Sequence, residues 1–163
     1  MTTKFTIQEA DLDCTEHADA VRLLLQTYAA DPLGGGVALD DDVLERVIPG
    51  LKSLPGRLVL LAWEDRKPAG LAIAFRTFST WKAAPVINLH DLAVHPDFRG
   101  KGIGRQLLQA VVTHALQTGC CRVTLEVRID NEPARELYLS EGFRSGEHPQ
   151  EFWVKHLEPA PRN

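Results

Sequence analysis

Val94-His95-Pro96-Asp97-Phe98-Arg99-Gly100-Lys101-Gly102-Ile103-Gly104 is the stretch of this 163-residue chain on which the reading of the fold turns. Upstream, Val86 to Val94 is apolar enough for a long strand. Downstream, Gly102 to Thr118 places Ile103, Leu107, Ala110, Val111 and Ala115 on one face of a helix that Gly119 ends. Three alternating glycines between strand and helix can expose several backbone N–H groups beside a helix N-terminus, a combination that favours anions and diphosphates above all. Small side chains also let a ligand approach the backbone. Arg99, Lys101 and Arg105 add positive charge. Two better-known glycine motifs are excluded. The dinucleotide fingerprint needs glycine where Arg105 stands, and no G-K-[ST] occurs for an NTPase P-loop. What fits is [R/Q]-x-x-G-x-[G/A], read as Arg99, Gly102 and Gly104.

Working outward, residues 3–9 alternate polar and apolar as a half-buried strand does. Cys14 to Ala30 is a helix with Ala18, Val21, Leu24, Leu25 and Tyr28 on one face. Asp31-Pro32-Leu33-Gly34-Gly35-Gly36 stops it. Asp40 to Asp42 supply an N-cap and first-turn charge for a second helix to about Leu54. Arg57 to Trp63 and Pro68 to Phe78 read as a hairpin. After the glycine loop and its helix come a strand, Cys121 to Val127, a short helix, Asn131 to Ser140, and a last strand pair ending near Phe152 to Leu157. The order β-α-α-β-β-β-α-β-α-β-β predicts a layered α/β (α+β) fold, a mixed, mostly antiparallel twisted sheet flanked by helices. With no repeat or linker, residues 1–157 are expected to form one domain, with 158–163 a frayed tail.

Eighteen Lys and Arg against 22 Asp and Glu give a formal net charge of −4, which leaves no broad basic surface for nucleic acid. No apolar run approaches the roughly 20 residues of a membrane span. The N-terminus carries no apolar signal segment. Cys14, Cys120 and Cys121 have no metal-ligand spacing and read as reduced thiols of a cytoplasmic protein. No H-E-x-x-H and no G-x-S-x-G occurs, so neither a metal site nor a serine nucleophile is expected. The three tryptophans read as core or rim residues.

The segment Ile87 to Leu108 resembles the acetyl-CoA-binding motif of the GNAT N-acetyltransferases, in which a strand ending V-x-P-x-x-[R/Q]-G-x-G-[I/V]-G precedes a helix with paired leucines, here Leu107-Leu108. Asn131-Glu132-Pro133-Ala134-Arg135-Glu136-Leu137-Tyr138-Leu139-Ser140-Glu141-Gly142-Phe143 is similar to the second motif of that family. The two motifs cover the C-terminal half. The strand Leu89-His90-Asp91-Leu92 further resembles that of the polyamine acetyltransferases.

The resemblance implies an N-acetyltransferase passing an acetyl group from acetyl-CoA to the amine of a small molecule. A peptide amine, or a module that binds acyl-CoA without catalysis, is the alternative. It implies a diphosphate held by Arg99, Gly100, Lys101, Gly102, Ile103 and Gly104, and a pantetheine arm paired with Leu92, Ala93 and Val94 as with a further strand. Asn131 is a cofactor contact, an N-cap, or both. Tyr138 is either the acid that protonates the departing thiolate or a packing residue. His90 stands where the family commonly has a glutamate base, with Asp91 and Glu126 as the other candidates. Successive strand residues face opposite ways, so His90 and Asp91 share a role only if a bulge intervenes. The walls of the acceptor site are expected from residues 31–36 and from Phe78 to Lys82. Late strands that commonly pair subunits imply a homodimer.

Overall fold

The computed structural model describes residues 5–146, 148 and 150–157. In chain order these form β1 (Phe5–Glu9), α1 (Thr15–Ala30), α2 (Asp41–Ser53), β2 (Arg57–Glu64), β3 (Lys67–Ser79), β4 (Ala84–Val94), a 3-10 turn (Pro96–Phe98), α3 (Ile103–Gln117), β5 (Val123–Leu125) and α4 (Glu132–Ser140). The sheet runs in order β1-β2-β3-β4-β5. Every neighbouring pair is antiparallel except β4 and β5, which are parallel and joined through α3. The layered α/β reading with a mostly antiparallel sheet is borne out.

Strand alternation splits the core in two. Val59, Leu61 and Trp63 of β2 with Leu71 and Ile73 of β3 pack against α1 and α2. Leu58, Leu60 and Ala62 of β2 with Ala72 and Ala74 of β3 pack against Ile103, Leu107, Leu108, Val111 and Ala115 of α3. On β3 this face carries only small residues, Ala69, Ala72 and Ala74 beside Gly70, so that α3 lies close. A Cβ on Gly70 would stand 2.9 Å from Ile103 Cγ2 and 3.1 Å from the Ala93 carbonyl oxygen. The β2–β3 hairpin turns on Asp65 and Arg66, both at positive φ, as a two-residue turn matched to strand twist requires.

A bulge in β4 shapes the site. Leu89 pairs with Ala74 and Asp91 with Ile73, leaving His90 as the extra residue. Ile87 and Leu89 belong to the α3-facing core, and beyond the bulge Leu92 and Val94 join it. The inserted residue thus moves the inward set from odd to even numbers. His90 and Asp91 both fall between two α3-facing residues. The ring of His90 meets that of Phe75, which packs on the α1 side, with centroids 5.4 Å apart.

Three expectations are corrected. The strand from Cys121 to Val127 shrinks to Val123–Leu125, because only Ile87 to Leu89 of β4 pair with it before the two strands part. The last strand pair is not formed among the described residues: 151–157 carry no strand, and Phe152 and Trp153 are 83% and 84% exposed. A strand needs a paired edge and a buried face, and this segment buries nothing on its own chain. Asp40 occupies the N-cap position of α2 without a side-chain capping bond. The tail, 158–163, lies outside the described residues.

Candidate active site

Because β5 leaves β4 after Leu89, Leu92 to Val94 pair on one edge only, with Gly70 to Ala72 of β3. The other edge opens on a cavity of about 490 Å³, lined by Leu92, Ala93 and Val94, by Arg99, Gly100, Gly102, Ile103, Gly104 and Arg105, and by Asn131, Leu137 and Tyr138. Strand, loop and helix motifs far apart in sequence therefore meet in one place. Gly100 and Gly102 adopt φ of 76° and 83°, and nothing lies within 4 Å of where a Cβ would be. Glycine is required there by backbone conformation, not by crowding. At Gly104 a Cβ would stand 3.4 Å from Val94 Cγ2, an ordinary contact.

A second cavity of about 140 Å³ adjoins the first. Its walls include Leu33 and Gly34 of the α1–α2 loop, His90, Glu126, Arg128, Asn131 and Tyr138. Tyr28, Leu33, Leu92, Asn131, Ala134 and Tyr138 line both cavities, so the two meet at a pair of tyrosines. Burial first, and then the neighbouring Tyr28, push the Tyr138 phenol up to about 12. It stays protonated at any ordinary pH, the state a proton donor needs. Its hydroxyl hydrogen-bonds no described side chain. Burial, then Asp91 and Asp31, raise Tyr28 as well. Asp91 is itself raised by burial, with His90 opposing. A carboxylate destabilised in this way is a better proton acceptor than an exposed one.

The predicted residues fall into place unevenly. His90 and Asp91 come to the same side through the bulge, and Glu126, just past β5, is held by Asn88 Nδ2 donating to both carboxylate oxygens at 3.3 Å. Asn131 does cap α4, accepting from the Ala134 amide at 3.2 Å, and it lines both cavities. Arg99 faces the larger cavity, but its guanidinium donates to Asp31 Oδ2 at 2.7 Å and to the Val94 carbonyl at 3.2 Å. The Arg99 partner holds the Asp31 carboxyl below the usual carboxylate range. Lys101 does not line the cavity and pairs with Glu64 at 2.7 Å. Residues 78–82 line neither cavity, and Trp81 at the hairpin tip is 97% exposed. Of the tryptophans only Trp63 is buried. Two contributors escape a reading by sequence alone. Tyr28 passes for one more apolar residue of α1. Arg128 carries no motif, yet it donates to the carbonyls of Pro32 and Gly34 at 3.2 and 3.3 Å and so holds the α1–α2 loop.

The model of the acetyltransferase (GNAT) family matches residues 21–143. The chain belongs to that family. Bovine thialysine N-epsilon-acetyltransferase is 36% identical over 136 residues, 80% of this chain and 78% of the bovine one. Among solved structures, a probable acetyltransferase superposes with a TM-score of 0.78 at 21% identity, covering 96% of this chain and 99% of its own. An aminoglycoside N-acetyltransferase, AAC(6')-Iy, in complex with CoA, gives 0.75 at 18% identity, covering 94% and 96%. These likenesses confirm the GNAT fold, and the family resemblance carried by the two motifs is borne out. As a GNAT protein with N-acetyltransferase relatives, the chain is an N-acetyltransferase. Its larger cavity fits the cofactor of such enzymes: a turn of positive-φ glycines for a diphosphate, and an unpaired strand edge for an amide-bearing arm. Among the described residues no group of three His, Cys, Asp or Glu side chains is arranged to hold a metal ion, and no helix is long and apolar enough to cross a membrane.

Proposed function

We propose that this chain transfers the acetyl group of acetyl-CoA to a primary amine of a small cationic molecule, by direct attack of the amine. Tyr138 carries the reading: a phenol held protonated, where the diphosphate-type cavity and the smaller acidic cavity join. Acetyl-CoA, when bound, supplies an activated acetyl thioester. The chain supplies the rest. Gly100 and Gly102 amides and Arg99 bind the diphosphate end, and the free edge at Leu92 to Val94 aligns the arm. Asn131 closes the wall. An ammonium ion has no lone pair, so the acceptor must first lose a proton. His90, which lines the smaller cavity, takes it through an imidazole nitrogen. Tyr138 gives its phenolic proton to the sulfur as the acetyl carbon–sulfur bond breaks, and the proton that the newly acylated nitrogen releases restores the phenol.

The acceptor class follows from charge. Asp91 and Asp31 act on Tyr28, which lines the smaller cavity, and Glu126 lines it beside Arg128, whose charge is paired with Asp130; the negative balance favours a cationic amine. The likeness of Leu89-His90-Asp91-Leu92 to the polyamine branch, and a relative that acetylates the side-chain amine of thialysine, point the same way. Three unpaired cysteines suit a reducing cytoplasm. A homodimer would cover the exposed Phe152, Trp153, Val154 and Leu157. Its test is molar mass by light scattering with and without residues 150–163.

The reaction is tested by mass spectrometry with acetyl-CoA and a pool of polyamines, amino acids with side-chain amines, aminoglycosides and short peptides. A small-amine product heavier by about 42 Da, one acetyl group, supports the proposal and names the acceptor. Acetylation confined to peptides would replace the acceptor class. Acetyl-CoA binding without any product would make the chain a binding module.

A further inference from the structure

Glu64 ends β2 in phase with Leu58, Leu60 and Ala62, the residues that pack on α3. A carboxylate therefore occupies the last position of an apolar face, where it is 5% exposed. A buried carboxylate costs several kcal/mol unless it is paired. Its partner is Lys101, whose Nζ donates to Oε2 at 2.7 Å, while Oε1 is buried and has no partner among the described residues. The same ammonium lies 5.1 Å from the centroid of the Phe98 ring, close enough for a cation–π contact. Phe98, Gly100 and Gly102 line the larger cavity. Lys101 sits between the two glycines, and its side chain leads away to the sheet.

Two glycines at positive φ give the loop its shape and also its freedom, since glycine loses more conformational entropy on ordering than any other residue. A loop that must aim several N–H groups at one ligand needs a restraint. A buried ion pair is a weak source of stability but a directional one. We propose that Glu64 is a positioning residue for acetyl-CoA binding: through Lys101 it fixes the Gly100–Gly102 turn in the form that presents its amides to the cavity. This rests on the acetyl-CoA reading above. It gives Lys101 a different part from the one expected of its charge, that of an anchor in place of a counter-charge to phosphate.

The two parts predict opposite results. If Lys101 were a phosphate ligand, Glu64→Gln would free the ammonium and tighten acetyl-CoA binding. If Glu64 is the anchor, Glu64→Gln weakens binding by about tenfold or more. Lys101→Met then weakens it similarly, and the double variant is no worse than the poorer single one, as expected for residues acting as a unit. The measurement is isothermal titration of acetyl-CoA into the wild-type chain and the three variants, with amide NMR shifts of Gly100 and Gly102 in the free proteins. The anchor is supported by parallel, non-additive losses, by displaced glycine shifts, and by an acetyl-CoA KM that rises in Glu64→Gln while kcat falls less than about twofold. Unchanged or tighter binding in Glu64→Gln, or additive losses, overturns it. Lys101 is 37% exposed, so Lys101→Met keeps the question open to decision even where Glu64→Gln fails to fold. Its binding defect should persist in high salt, whereas a lost phosphate contact would be screened away. Wild-type protein that binds no acetyl-CoA sinks the cofactor reading and this assignment with it. Binding that ignores both substitutions sinks the assignment alone.

Discussion

The two cavities that meet at Tyr138 are built differently. The larger one is centred on backbone, a free strand edge, a turn of glycines and the start of α3, with side chains of α1, the α1–α2 loop and α4 completing its walls. The smaller one is made of side chains, and one wall is the α1–α2 loop, tied down by Arg99 at Asp31 and by Arg128 at the carbonyls of Pro32 and Gly34. A backbone site suits a ligand that never changes, since few substitutions alter where an N–H group points. A side-chain site roofed by a tethered loop can change its occupant by exchanging a handful of residues. One protein thus holds a general half and a particular half, and the shared tyrosines are where they must cooperate.

The sharpest way to break this division is at the junction. Tyr138→Phe should lower kcat by about 100-fold or more, with acetyl-CoA affinity within about threefold of wild type by titration. Equal turnover would return Tyr138 to a packing role. Within the backbone half, two glycines only two residues apart should behave differently. Gly102→Ala forces a non-glycine residue into positive φ at the N-cap of α3, and should cost about 1–3 kcal/mol of stability in denaturant unfolding. Gly104→Ala has room for its methyl, and should cost less than about 1 kcal/mol. Similar losses at the two positions would mean that crowding, not conformation, demands the glycines.

Across the two halves, Arg128→Ala should raise the acceptor KM by roughly three- to tenfold through a looser loop, and leave acetyl-CoA binding within about twofold. A larger effect on acetyl-CoA than on the acceptor would erase the distinction drawn here.

The smallest effect is a pH signature. Burial raises the folded-state pKa of Asp91, so the folded chain binds more protons than the unfolded one between the ordinary value of about 3.9 and the raised one. Stability therefore falls as pH rises through that window, and the cost is full above it. Asp91→Asn should melt higher than wild type above the window, with an advantage that shrinks as the pH drops through it. An advantage that grows on acidification would reverse the assignment.

Much of the fold was open to reading because apolar periods are long there. Helices α1 and α3 and strands β2 to β4 follow from spacing alone. The glycine loop was legible because positive φ leaves few residues to choose from. The tethers were not. Glu64 looked like the start of a polar turn, although it continues the Leu58, Leu60, Ala62 phase and so marked itself as inward. Arg128 acts on carbonyls in the α1–α2 loop, almost a hundred positions away in sequence, and no local pattern encodes such a partner. The late strand pair was expected from apolar residues whose burial the chain does not supply by itself.

The bulge at His90 behaves like a slipped reading frame. A strand is a two-letter text, inside and outside in turn, and one added letter reverses every letter after it. The irregular steps were visible in the apolar positions Ile87, Leu89, Leu92 and Val94, which advance by two, three and two. Replacing His90 leaves the frame intact, and deleting it would make every step two, a regular strand that keeps Leu92 and Val94 toward α3 but no longer sets two polar residues side by side between Leu89 and Leu92. That pairing of His90 with Asp91 is therefore specified by the number of residues in β4 as well as by their kinds, and a survey by substitution alone would miss that part of the instruction.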